Sequence, residues 1–151
     1  MSTVVEGIAH PRLRQLYQYW LEKRGGRSMP SRADIDPLDL RFAMGNIILS
    51  DVIQGEPLRF RIRVHGTNLS ARGDLDLSGK ILDEAPANEF RALTQRSFTQ
   101  VATTKQPFHA HRNRILDDRA RCYETLILPL SSDDERADMI LLGQYYDDEK
   151  R

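Results

Sequence analysis

Thiol chemistry is almost absent from this sequence: Cys122 is its single cysteine, so no internal disulfide framework exists. Long apolar runs are missing too, and none approaches the roughly 20 residues that cross a bilayer. No sign of charge dominates. The 22 basic and 22 acidic side chains cancel, which indicates no dominant pull toward nucleic acid or a membrane surface. The opening stretch MSTVVEGIAH has neither the basic flank nor the apolar core of a signal peptide, and the reading is a cytoplasmic protein. There is no phosphate-cradling glycine loop, no zinc-type cysteine spacing and no Gly-x-Ser-x-Gly elbow.

What is present fits one globular domain over residues 1–151, with 40% apolar and 29% charged residues. Arginine far outnumbers lysine, favouring planar donors for carboxylates, phosphates or aromatic faces. Residues 10–24 read as a helix, with Leu13, Leu16, Tyr17, Trp20 and Leu21 on one stripe. Pro11 suits its first turn, and Gly25-Gly26 ends it. A connector over 27–35 leads to a short helix capped by Asp36, opened by Pro37 and closed by Gly45. Strand-like runs follow at 46–54 and 58–66, then a glycine-punctuated stretch at 67–79 and an amphipathic helix at 89–104. Three more strands close the chain: one around His109-Ala110-His111, then 123–130 and 139–142. Turns fall at 54–57, 117–118 and 131–138, and the tail from 147 to 151 reads as frayed. Within 58–64, Leu58, Phe60, Ile62 and Val64 alternate with Arg59, Arg61 and Arg63, so the apolar set is expected to face the long helix. This order implies an α+β fold: a five-stranded antiparallel sheet, helices gathered on one face, and an N-terminal helix at about 10–25 preceding a core at about 46–146.

Two stretches carry a family resemblance. Val64-His-Gly-Thr-Asn-Leu69, Gly73 and Leu77-Ser-Gly-Lys-Ile-Leu-Asp-Glu84 resemble the strand-to-helix passage of PAS sensory domains. Tyr19-Trp20, Arg24-Gly-Gly-Arg27, Pro30, Arg32, Asp34, Asp36-Pro37 and Asp39-Leu40 are similar to the opening of a bacterial PAS-like family. The resemblance implies a small-molecule sensor or a dimerisation and partner module, whose signal usually passes to an attached output domain; none is expected here. It also implies where cofactors would show. Flavin-binding members carry an Asn-Cys-Arg motif after the second strand, but Gly66–Ser70 holds no cysteine. Haem-binding members place a histidine on the long helix, and 89–104 has none. No cofactor is expected.

Other residues invite chemistry. His109 and His111 share a strand face, and a metal would need a third ligand from Glu124 or Cys122. An exposed polar face explains the pair as well, and with the set incomplete no metal is expected. Cys122 beside a histidine could imitate a nucleophile pair, yet no oxyanion pocket accompanies it. The acidic pairs 117–118, 133–134 and 147–148 fall in turn or tail settings. The Arg59, Arg61, Arg63 and His65 stripe either protects a sheet edge or meets an anionic partner. Basic residues around Gly25-Gly26 complement the helix dipole.

These readings converge on a non-enzymatic sensory module with no catalytic residues. Its ligand is expected between the long helix and the sheet, among Phe60, Ile62, Leu69, Phe90, Leu93, Ser97 and Glu124. A homodimer is expected, with Leu13, Tyr17 and Trp20 at the contact, although the same aromatics could be core. A signalling protein partner and a small organic ligand are the other partners; nucleic acid and membrane are not. The alternatives are a constitutive partner-binding protein with a filled core, and a small α+β enzyme.

Overall fold

A computed structural model describes residues 7–73 and 76–148; residues 1–6 and most of the tail expected to fray lie outside that range. Helix α1 spans Pro11–Arg24. Short 3-10 segments cover Arg32–Asp34 and Pro37–Asn46. Strands β1 (Ile47–Ile53) and β2 (Arg59–His65) follow. Helix α2 is Thr67–Gly73, a 3-10 turn covers Leu82–Glu84, and α3 is Glu89–Thr104. Strands β3 (Phe108–Leu116), β4 (Arg119–Leu130) and β5 (Met139–Tyr146) complete the chain. All pairings are antiparallel, in the order β2-β1-β5-β4-β3.

The sheet is covered on both faces, because β4 and β5 carry apolar side chains alternately to each side. On one face Phe60 packs edge-on against Phe98 of α3, and Phe90 against Tyr123. Helix α1 occupies the other. A Cβ on Gly143 would lie 2.7 Å from Leu16 and 2.8 Å from Leu13, so the glycine lets α1 sit directly on β5. Leu13, Tyr17 and Trp20, expected at a contact between copies, are therefore buried in the core of the chain itself. Trp20 is 1% exposed and donates its indole N–H to the Pro129 carbonyl at 2.9 Å. The stripe that reads as surplus to one core is consumed by the second sheet face.

Residues of the Tyr19–Leu40 stretch fasten the connector that follows α1. Tyr19 Oη donates to Asp39 at 2.8 Å and accepts from the Asp36 amide at 3.0 Å. Arg27 pairs with Asp34, which also accepts from the Ser31 amide. Asp36 caps its 3-10 segment through the Leu38 amide. Asp134 accepts from the amides of Ser28 and Met29, so this turn carboxylate does more than face water. The start of the tail is also held: the Asp147 amide donates to the Cys122 carbonyl, and Asp148 pairs with Arg72.

Strand β2 is an edge strand, but its outer side is not bare. Backbone bonds join Ile62 to Gly79 and Lys80. Its arginines have partners within the chain: Arg59 forks onto Asp83, and Arg63 pairs with Asp51. Pairing also slips by one residue here. Leu49 faces Val64 and Ser50 faces Ile62, leaving Arg63 as the extra residue of a bulge. A one-residue slip inverts every later side chain. Val64, expected to face the long helix, is 36% exposed, while the His65 side chain turns inward and is 8% exposed.

Candidate functional site

Between α3, the Leu82–Glu84 turn, α2 and the sheet lies a cavity of about 200 Å³. Its walls are mainly apolar, with Ile48, Ile62, Leu69, Leu82, Phe90 and Leu142 contributing. This volume is below the roughly 300–1,000 Å³ of sites for drug-sized ligands, so it suits a smaller molecule.

The polar groups lining it come from three strands and from α3 with its cap, where Asn88, Arg91 and Thr94 contribute; Arg91 is held by the Asp83 and Ala85 carbonyls. Arg114 on β3 lays its guanidinium 3.5 Å from the Phe90 ring centroid and donates from Nη1 to Tyr146 Oη at 3.1 Å. Its Nε is buried and has no hydrogen-bond partner, a costly state for a charged donor. Gln144 on β5 also lines the cavity. His65, delivered by the β2 bulge, accepts the Leu77 amide at Nδ1 over 3.0 Å. That bond leaves the neutral ring with Nε2–H as donor. Burial pushes the His65 pKa down, and Asp76 at 4.0 Å offsets only part of that. Among the described residues that line the cavity there is no carboxylate and no thiol. The lining thus offers two guanidiniums, Arg91 and Arg114, together with neutral donors.

Of the residues expected around a ligand, Ile62, Leu69 and Phe90 line the cavity. Phe60 is buried behind it against Phe98. Leu93 is not in the lining, and Ser97 accepts a hydrogen bond from Arg112 at 3.0 Å. Glu124 belongs to the opposite face of the sheet, because β4 turns its neighbour Tyr123 toward α3. There Glu124 accepts from the Ala9 and His10 amides at 2.8 and 2.9 Å and contacts His109 Nε2 at 2.6 Å. Burial pushes its carboxyl pKa up, but these three hydrogen bonds outweigh that and hold it below the ordinary carboxylate range. Of the two candidates for a third ligand beside the histidine pair, the fold brings Glu124 to it, within 4.8 Å of both ring nitrogens. Cys122 lies apart from that group, donating to Asn113 Oδ1.

Reading the sequence by periods put His65 on the outward stripe with Arg59, Arg61 and Arg63, and passed over Arg114, Gln144 and Tyr146. Arg114 was accessible in principle, since it alternates with His109 and His111 along one strand. Tyr146 lies beyond 139–142, where Gly143 interrupts the apolar run. Nothing in the sequence marks the bulge that turns His65 inward.

The sequence profile of the PAS domain family matches residues 8–145. The fold is similar to that of the PAS domain of BvgS from Bordetella pertussis, at 19% identity and a TM-score of 0.54, over 77% of this chain and 90% of that one. It is also similar to the LOV protein of Rhodobacter sphaeroides, at 8% identity and a TM-score of 0.51, over 95% of this chain and 71% of that one. Both likenesses concern the fold alone. No curated protein matches the sequence.

Proposed function

Since this chain belongs to the PAS domain family, we propose that it is a non-catalytic sensory module whose cavity takes a small organic acid. The observation that carries this reading is Arg114: a half-buried cation at an apolar cavity, with a buried, unpartnered Nε and no lining carboxylate. A ligand carboxylate supplies both the missing acceptor and the missing counter-charge, and charge-assisted bonds of this kind are the strong ones. The His65 Nε2–H is a further donor to an acceptor on the ligand. The apolar walls fit a short hydrocarbon portion.

Signalling then follows by population shift. The ligand touches α3 through Phe90 and the sheet through Arg114, so it favours one packing of helix on sheet. That change is passed on at an outer surface to a protein partner, a second copy of this chain included. A constitutive partner-binding protein has no need of a charged group facing a cavity, which favours the sensor.

Native mass spectrometry of freshly purified chain tests the reading. An acidic adduct on the wild type that disappears in Arg114→Gln supports it. A ligand-free wild type, or the same adduct retained by the variant, contradicts it.

A further inference from the structure

We propose that His109, His111 and Glu124 form a binding site for a borderline divalent transition ion, zinc being the model case, on the sheet face opposite the cavity. The site is independent of the ligand reading above. The antiparallel register sets His111 directly across from Glu124, and the strand period returns His109 to the same face. Glu124 Oε2 lies 2.6 Å from His109 Nε2 and 3.9 Å from His111 Nε2, and the three ligand atoms all fall within 4.8 Å of one another. A tetrahedral ion with bonds of about 2.0–2.1 Å holds its donors roughly 3.3 Å apart. The observed separations bracket that value. The necessary adjustments are small: His109 and Glu124 part slightly, and His111, 59% exposed, rotates inward.

The donor chemistry selects the class of ion. Two imidazoles and one carboxylate are a mixed nitrogen and oxygen set, suited to zinc and its first-row neighbours. Calcium and magnesium ask for oxygen donors. On binding, His109 Nε2 gives its lone pair to the ion and its proton moves to Nδ1, so no further reactant is required. The supporting shell is already built. The Glu124 side chain is 4% exposed, and the Ala9 and His10 amides orient its two oxygens. The open side, where His111 meets solvent, admits the ion and leaves its fourth position to water. The ion thereby ties β3 and β4 together beneath the segment that leads into α1.

The test uses the tag-free full chain, stripped with chelator and desalted. Titration with zinc chloride by calorimetry should give one equivalent, and cobalt chloride should give the visible absorption of a low-symmetry site. His111→Ala should weaken binding by more than tenfold while leaving the melting temperature of the stripped chain unchanged, since the ring is exposed. Cys122→Ser should bind as the wild type does. Absence of saturable one-equivalent binding overturns the proposal, as does undiminished affinity in His111→Ala or loss of binding in Cys122→Ser.

Discussion

Gly143 of β5 lies beneath Leu13 and Leu16 of α1, so close that a Cβ at position 143 would reach within 2.8 Å of both side chains. The helix closes the second face of the sheet only because this position has no side chain. Gly143→Ala should therefore overpack the contact and cost about 1–3 kcal/mol, read as a lowered midpoint in urea. An unchanged midpoint would mean that the two leucines yield freely.

Trp20 separates core from interface in one variant. Its ring is buried and its N–H is bonded to the Pro129 carbonyl. Trp20→Ala should lose about 3–5 kcal/mol of stability, with no change in the sedimentation coefficient of the chain that remains folded. A dissociated but equally stable variant would put the ring at a contact between copies.

Acid should destabilise the fold in two stages. The His65 pKa is pushed down on folding, so the unfolded chain binds that proton first, and stability falls as pH drops below about 6.5. The Glu124 pKa is also lowered on folding. Its contribution is complete above the ordinary carboxylate range and is lost as pH falls through and below it. Thermal melts from pH 7 to about pH 3 should show both stages, and His65→Gln should flatten the first. A melting temperature that rises on acidification to pH 5.5 would contradict the sign for His65.

The order of elements was legible because it rests on local chemistry. The Asp36 cap, Pro37 and the periods of the strands and of α3 are properties of neighbours in sequence, and each appears in the fold. The family resemblance, drawn from Val64–Leu69 and the residues from Tyr19 to Leu40, led to the same architecture. What sequence could not show was the face to which each side chain turned across long distances. Glu124 shares the strand period of a ligand residue, but which face met α1 depended on Gly143 and residues over a hundred positions away. The cavity failed to emerge in full for the same kind of reason. One extra residue at Arg63 exchanges Val64 for His65, and Arg114 became distinctive only through its buried, unpartnered Nε.

In the proposed sensor, Arg114 makes the cavity a site for a small organic acid. The most direct measurement of this is the thermal melting of wild type and Arg114→Gln across a series of short carboxylic acids and their neutral amides. Stabilisation of the wild type by acids and not by amides, absent from Arg114→Gln, is the predicted result. Equal response to acids and amides, or an acid response that survives in the variant, would contradict it.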